Sequence, residues 1–248
     1  MKSLLLVTAA LSAFAAAPAL AQEGPVGSIG INYGNTEVDF GGIGGDADSW
    51  AVDGVVAMPA FGDWTVTLAA DASEYEDADD TMIAGTAHLT TLVGSDLRIG
   101  GFVGAADVAD ETALTGGFEV QKYLSKATLT GVVAYTTADD VDLDAWTVSG
   151  DAAFYVTEAL RLNAGVSYLT IDDADVDGLT YGVGAEYEIA RSPFSVTAGF
   201  AHTDLEDIDI DSWTIGLRYS FGGGLQARDR AGAGLGANNG VLGLLGSI

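Results

Sequence analysis

Apolar side chains recur at every second position along almost the whole chain, which is the spacing of a β-strand with two unlike faces. In the clearest segment, Trp213, Ile215, Leu217, Tyr219 and Phe221 alternate with Thr, Gly, Arg and Ser. Equivalent positions in six of these segments are 31 to 34 residues apart and are occupied by Trp50, Ile83, Leu114, Trp146, Leu179 and Trp213. A repeat of that length is one β-hairpin. The sequence therefore predicts twelve strands, each of about 9–11 residues.

The connections between these segments decide between a soluble sandwich and a closed membrane barrel. Tight links such as Val93-Gly94-Ser95-Asp96 alternate with longer acidic loops, an organisation typical of transmembrane barrels with an even strand number. A soluble sandwich would also alternate, but closure of the sheet in lipid explains why the apolar face is never interrupted. We therefore predict an all-β fold, a transmembrane antiparallel up-and-down β-barrel of twelve strands.

Three segments are expected along the chain. Residues 1–21 have a short positive start, an apolar stretch and the small-residue pattern Ala19-Leu20-Ala21, which indicate a secretory signal peptide; an N-terminal membrane anchor is the alternative. Residues 22–221 form the predicted barrel. Residues 222–248 form a Gly-rich C-terminal tail that carries Arg228-Asp229-Arg230 and is expected in the periplasm. This tail is predicted to be a flexible linker or, alternatively, a plug in the lumen.

Charge and composition exclude several classes of protein. With 36 acidic and 9 basic residues, the formal net charge is −27, which argues against a nucleic-acid partner. The absence of cysteine excludes disulfide scaffolds and thiolate metal sites, and no cofactor is predicted. The six predicted long loops hold 25 of the acidic residues, whereas the basic residues of the mature chain lie towards the opposite end. The barrel is therefore expected to be acidic outside the cell and basic towards the periplasm.

The last predicted strand resembles the closing strand of Gram-negative outer-membrane barrels, which ends in an aromatic residue. Trp213, Tyr219 and Phe221 carry this resemblance, which together with the signal peptide and the hairpin repeat extends over residues 22–221. The resemblance to bacterial porin-like outer-membrane proteins implies a location in the cell outer membrane, lipid and lipopolysaccharide as surroundings, and recognition of the last strand by the barrel-assembly machinery. The tail after Phe221 departs from that pattern.

The predicted inner face suggests what the barrel does. It consists mostly of Thr, Ser, Gly and Ala, with His88, Phe102 and Tyr155 as its few bulky members. Its charges are expected to set the field in the lumen, chiefly through Arg98, Arg161, Arg218, Glu119, Asp151 and Glu186. These features predict a porin-like channel for passive diffusion of small solutes, with a weak preference for cations. Alternatively, the same charges form Arg–carboxylate pairs that brace the wall.

Two further functions remain open at the outer mouth. Above the membrane, the alternation places several apolar residues on the predicted inner face, where they either pack together or form a vestibule for hydrophobic solutes. These residues are Val38, Phe40, Tyr75, Val141, Leu143, Ile171, Val176, Ile208 and Ile210. The acidic loops also suit a non-conducting structural barrel that interacts with lipopolysaccharide through diffusely bound divalent cations. A dedicated calcium loop is not predicted, because the run that begins Asp173-x-Asp175-x-Asp177 has Gly184 at its twelfth position instead of glutamate.

Nucleophilic catalysis usually needs a histidine base. The chain has two histidines: His88 on the inner parity, with Thr86 and Thr90 on the same face, and His202 on the outer parity. Neither is accompanied by a recognisable nucleophile motif. The protein is not predicted to be an enzyme.

Overall fold

The computed structural model describes residues 24–76, 81–108, 111–138, 143–171, 176–206 and 208–235. The predicted signal peptide and residues 236–248 of the tail lie outside these ranges. No helix among the described residues is both long and apolar enough to span a membrane.

Twelve strands form in the described ranges and close into one ring. They are β1 (Val26–Phe40), β2 (Ile43–Pro59), β3 (Trp64–Tyr75), β4 (Thr81–Val93), β5 (Leu97–Val108), β6 (Glu111–Tyr123), β7 (Ala127–Ala138), β8 (Leu143–Thr157), β9 (Leu160–Ile171), β10 (Val176–Glu188), β11 (Phe194–Leu205) and β12 (Ile208–Phe221). Each strand pairs antiparallel with its neighbours in the chain, and β1 pairs with β12 from Gly27 opposite Phe221 to Phe40 opposite Ile208. The predicted up-and-down barrel is confirmed.

The strands are longer than the sequence predicted. They contain 12 to 17 residues rather than 9–11, because the alternation continues into the predicted long loops and extends the ladders past the length needed to span lipid. Between β1 and β2 only Gly41 and Gly42 remain as a turn, with φ of 59° and 90°. Positive φ at both central residues is the requirement of a tight hairpin turn, which glycine meets without strain. The long acidic loop expected there is therefore a strand extension.

The two faces of the wall have the polarity that the alternation predicted. Large apolar side chains point outward and are exposed, as at Trp50 (59%) and Phe118 (80%), whereas Thr67, Thr90 and Thr136 on the inner face are fully buried. Apolar side chains outside and polar side chains inside are the reverse of the arrangement in a soluble protein, and they suit a wall with lipid outside.

Aromatic contacts mark both ends of the outer face. Tyr33 contacts Trp50 and Trp213 with ring centroids 5.2 and 5.6 Å apart, and Phe194 contacts Tyr219 at the other end at 5.6 Å. Rings at these levels correspond to the aromatic girdles of membrane barrels.

The two ends of the barrel differ in their connections. One end carries the turns 60–63, 94–96, 124–126, 158–159 and 189–193 and is called the short-turn end; the other is the long-loop end. After β12 the chain forms a short helix, α1 (Leu225–Arg228), and a π-helical turn, Asp229–Ala233, at the short-turn end.

The tight spacing of β4 and β5 generates a stability prediction. A Cβ at Gly100 would meet the Leu89 carbonyl oxygen and lie 2.5 Å from the Thr90 methyl carbon, whereas a Cβ at Gly85 would find its nearest atom at 3.7 Å. Gly100→Ala should therefore lower the free energy of unfolding by about 1–3 kcal/mol through overpacking. Gly85→Ala, the matched control, should be neutral or slightly stabilising. Urea unfolding of the refolded variants in lipid vesicles measures both, and equal stabilities would contradict the predicted close contact.

Candidate functional site

A cavity of about 510 Å³ occupies one side of the lumen. It extends from Thr36 and Tyr75 near the long-loop end to Arg228 and Asp229 near the short-turn end. Its walls come from β1–β3 and β7–β12 and are made largely of Ser, Thr, Asn, Gly and Ala, which leave space inside the ring. A polar cavity that runs along the barrel axis is the main candidate for a solute path.

The opposite side of the lumen is packed. On β4–β6, the buried His88 ring stacks on Phe102 with centroids 5.3 Å apart. Gln121 is also buried there and donates a hydrogen bond to the Thr130 hydroxyl. His88, Phe102 and Gln121 thus fill this side of the lumen, and the open space lies beside them.

Ion pairs brace the wall of the cavity. Arg218 lies 2.7 Å from Asp53, which also accepts a hydrogen bond from the Asn32 amide, and Arg161 lies 3.3 Å from Glu186. Pairing of this kind offsets the cost of charges that are partly removed from water. The bracing alternative therefore applies to these residues, and the same residues line the cavity.

The charges that line the cavity are predominantly negative. Among the described residues they are Asp53, Asp71, Asp151, Glu186 and Asp229 against Arg161, Arg218 and Arg228. Five carboxylates against three guanidinium groups leave an excess of negative charge along the open side. Such an excess attracts cations into a narrow polar space.

The six predicted lumen residues separate into two groups. Arg161, Arg218, Asp151 and Glu186 line the cavity. The structure brings the other two, Arg98 and Glu119, to the packed side instead, so they do not line it.

Arg98 is buried and held by neutral partners. It donates hydrogen bonds to the Tyr123 hydroxyl at 2.8 Å, the Thr90 hydroxyl at 2.9 Å and the Arg230 carbonyl at 2.9 Å. Alternation places it correctly on the inner face. Its depth and its neighbours depend on strand register and on the tail, neither of which alternation encodes.

Glu119 and His88 form a buried pair. The His88 Nδ1 atom lies 3.0 Å from Glu119, and its Nε2 atom lies 3.1 Å from the Thr86 hydroxyl. This order of hydroxyl, imidazole and carboxylate could polarise a hydroxyl group. However, His88 and Glu119 are 1% and 5% exposed, and none of the three residues lines the cavity. The geometry fits a brace of the packed side.

The short-turn end of the lumen is occupied by the start of the tail. Arg228 and Asp229 are 6% and 5% exposed, and Leu225 packs against Ala153 and Tyr155. A linker and a lumen plug were the two alternatives for the tail, and the contacts of Leu225 and Asp229 with inner side chains favour the second. The sequence left the place of Arg228 and Asp229 open between these alternatives; the signal for the lumen was the Gly222-Gly223-Gly224 break directly before a leucine and the charged run.

The apolar residues of the outer mouth pack only in part. Ile171 joins Ala145, Leu169 and Leu205 in a cluster, which agrees with the packing alternative on that side. Phe40, by contrast, is 58% exposed. Val141 lies outside the described residues.

Carboxylates at the long-loop end are hydrogen-bonded to neighbouring side chains. Asp144 accepts a bond of 2.6 Å from the Tyr135 hydroxyl, and Asp211 lies 2.8 Å from His202 Nδ1. Over the described part of the chain, no group of three or more His, Asp or Glu residues is arranged to hold a metal ion. Asp173 and Asp175, from the calcium-like run, lie outside the described residues.

Comparisons with known proteins agree with this architecture. The family model described as outer membrane protein beta-barrel domain matches residues 6–221. The KdgM porin superposes with a TM-score of 0.57 at 8% identity, over 77% of this chain and 99% of that chain. The NanC porin gives 0.58 at 5% identity, over 77% and 100% of the two chains. An outer membrane channel from Pseudomonas putida F1 gives 0.56 at 12% identity, over 82% and 97%. No curated protein sequence matches this chain, and similarities at these identities show the fold alone.

The buried His88–Glu119 pair generates a second stability prediction. Glu119→Ala should lower the free energy of unfolding by about 1–3 kcal/mol, because it leaves the buried imidazole without its carboxylate partner. Glu158→Ala, which removes the same group from an exposed turn, should change it by less than about 0.5 kcal/mol. Chemical unfolding in detergent micelles compares the two, and equal effects would show that the pair does not brace the packed side.

Proposed function

Because this chain belongs to the outer membrane protein β-barrel domain family, we propose that it is a porin-like channel for passive diffusion of small solutes. The observation that carries the proposal is the continuous polar cavity from Thr36 and Tyr75 to Arg228 and Asp229.

The proposed topology follows from the distribution of charge. The long-loop end, rich in carboxylates, faces outside the cell, and the short-turn end faces the periplasm together with the tail. The proposed signal peptide, residues 1–21, directs the chain out of the cytoplasm. We propose that the barrel-assembly machinery recognises β12 through Trp213, Tyr219 and Phe221, of which Trp213 and Tyr219 point outward and are each 45% exposed.

The channel prefers cations weakly. Asp71 and Asp151 line the cavity on opposite sides of the ring, on β3 and β8, together with the paired Asp53 and Glu186. Arg161 and Arg218 offset part of this charge, so the preference is weak rather than exclusive. Arg98 and Glu119, which the sequence analysis included among the lumen charges, have no direct part in this selectivity.

A bilayer recording tests the channel and its selectivity together. The refolded chain is inserted into a planar lipid bilayer under a salt gradient, and the reversal potential is read from single-channel currents. We expect discrete current steps with a cation-biased reversal potential. Absence of steps from both the full chain and the chain truncated after Phe221, each verifiably folded, would overturn the proposed function.

The selectivity residues are tested by paired neutralisations. The double substitution Asp71→Asn and Asp151→Asn should move the reversal potential towards zero, because it removes two unit charges from the cavity wall. Glu119→Gln is the control: it removes one unit charge from the packed side and keeps a polar partner for His88, and each single cavity variant, Asp71→Asn or Asp151→Asn, is its match in charge. Equal shifts in both variants, or no shift in the double variant, would show that the cavity carboxylates do not set selectivity.

A second candidate function is favoured by the ordered carboxylates of the long-loop end. Asp144 and Asp211 each lie two strand residues above an outer aromatic residue, Trp146 and Trp213, at the level of lipid head groups. Divalent cations would bridge such carboxylates to anionic lipopolysaccharide, and the barrel would stabilise the outer leaflet.

Chelation tests this second function. In vesicles that contain lipopolysaccharide, EDTA should lower the unfolding temperature of the barrel, whereas in vesicles of neutral phospholipid it should have no effect. Indifference to EDTA in both would remove the lipopolysaccharide proposal and leave the channel proposal intact.

A further inference from the structure

We propose that residues 222–235 form an autoinhibitory plug that narrows the periplasmic exit of the channel. The inference rests on the proposed channel function and adds a regulatory element to it. The plug consists of α1, the π-helical turn and the glycines that connect them to β12, and it is called the C-terminal plug below.

The C-terminal plug crosses the bore of the barrel. Arg228 binds Glu186 and Glu188 on β10, and four residues later the Gly232 carbonyl accepts a hydrogen bond of 3.1 Å from Thr67 on β3. In a closed ring of twelve strands, two strands that are six positions apart lie diametrically opposite each other. Counted through β12 and β1, β3 and β10 are five positions apart, so they lie on nearly opposite walls. A segment that binds both strands therefore extends from wall to wall.

Contacts with other strands hold the C-terminal plug around its circumference. The Tyr155 hydroxyl on β8 donates a 2.6 Å hydrogen bond to Asp229, and Arg98 on β5 donates to the Arg230 carbonyl. The Arg230 side chain donates to the Leu124 carbonyl and lies over the Tyr123 ring, 5.7 Å from its centroid. Because these contacts come from several sides of the ring at the short-turn end, the plug lies inside the exit rather than beside it.

The charges of the C-terminal plug match the wall that they meet. The Arg228 guanidinium lies 2.7 Å from Glu188 and 3.4 Å from Glu186, and it also donates to the Gly223 carbonyl at 2.8 Å. A guanidinium group that is 6% exposed requires such partners, because an unpaired buried charge is costly. A linker that only rested against the barrel would keep its charges in water.

The reversal into the lumen is built into the chain directly after the last strand. Gly222 and Gly223 have φ of 84° and 140°, in the region that favours glycine, and a Cβ at Gly222 would lie 2.6 Å from the Val26 side chain. The turn therefore needs glycine at both positions. Ala233 and Gly234, which follow it in the plug, form part of the floor of the cavity.

Two truncations test the plug in the same bilayer recording. A chain that ends at Phe221 lacks the whole plug and should show a several-fold larger single-channel conductance than the full chain. A chain that ends at Leu235 keeps every contact described above and is the matched control, expected to conduct like the full chain. The heat-dependent shift of the folded barrel on a denaturing gel verifies folding of each protein.

Point variants provide a second measurement that leaves the chain length unchanged. Arg228→Ala removes the contacts with Glu186 and Glu188 and should raise the conductance or the frequency of open states. Arg191→Asn removes one positive charge from the same end of the barrel but lies in an exposed turn, at a φ of 60° that Asn tolerates. Its conductance should equal that of the unmodified protein.

The outcomes separate the plug from the channel. A larger conductance after truncation at Phe221 and in Arg228→Ala, but not in the two controls, supports the plug. Equal conductance of the full chain and the chain ending at Phe221 overturns the plug and leaves the channel standing. Absence of conductance in every folded protein overturns the channel, and the plug with it.

Discussion

Hydrogen bonding between β1 and β12 is the constraint on which the rest of the structure depends. Fourteen residue pairs, from Gly27 with Phe221 to Phe40 with Ile208, join the two ends of the sheet and leave the ring without an edge. In lipid, an edge would expose backbone amides and carbonyls that water cannot reach. Closure therefore forces every strand to present one face to lipid and the other to the lumen, and the alternation of the sequence is the direct consequence.

The closed ring then determines how charges inside it are arranged. Groups in the lumen are partly removed from bulk water, so each charge is stabilised by a partner or by contact with the cavity. Arg218 with Asp53 and Arg161 with Glu186 show the first solution on the open side, and His88 with Glu119 shows it on the packed side. Because the inner side chains of β4–β6 fill their side of the lumen and those that face the cavity are mostly small, the open volume collects on the other side. The cavity and the bracing pairs are thus two results of one distribution of side-chain size.

The sequence contains enough information for the fold and for the face of each side chain. Strand number and the outward position of residues such as Trp50 follow from a period of two, and the connection order follows from the alternation of tight links and longer loops. Strand length does not follow from this period. The acidic residues between β1 and β2 predicted a loop, but the two strands remain paired as far as the Gly41-Gly42 turn.

For the candidate site, the sequence predicts only which face of the barrel wall each residue occupies. Arg98 and Arg161 share the inner parity, yet Arg161 lines the cavity and Arg98 lies buried beneath the Arg230 carbonyl. The difference arises from register, from the size of neighbouring side chains and from the tail, which brings Asp229 to Tyr155 across 74 residues of chain. None of these is a local property of the strand that carries the residue.

The position of the tail also implies an order of folding, in which the ring closes before the tail binds inside it. Its partners Thr67, Arg98, Tyr155 and Glu186 lie on β3, β5, β8 and β10, and they face one another only when the ring has closed. Before closure, binding the tail to any one strand would order a long chain segment for a single contact, which conformational entropy opposes. The tail contacts therefore form only after barrel closure, and because they exist only in the closed ring they stabilise it once formed. The aromatic end of β12 is consequently placed before the tail in the chain, where it can pair with β1 irrespective of what the tail does.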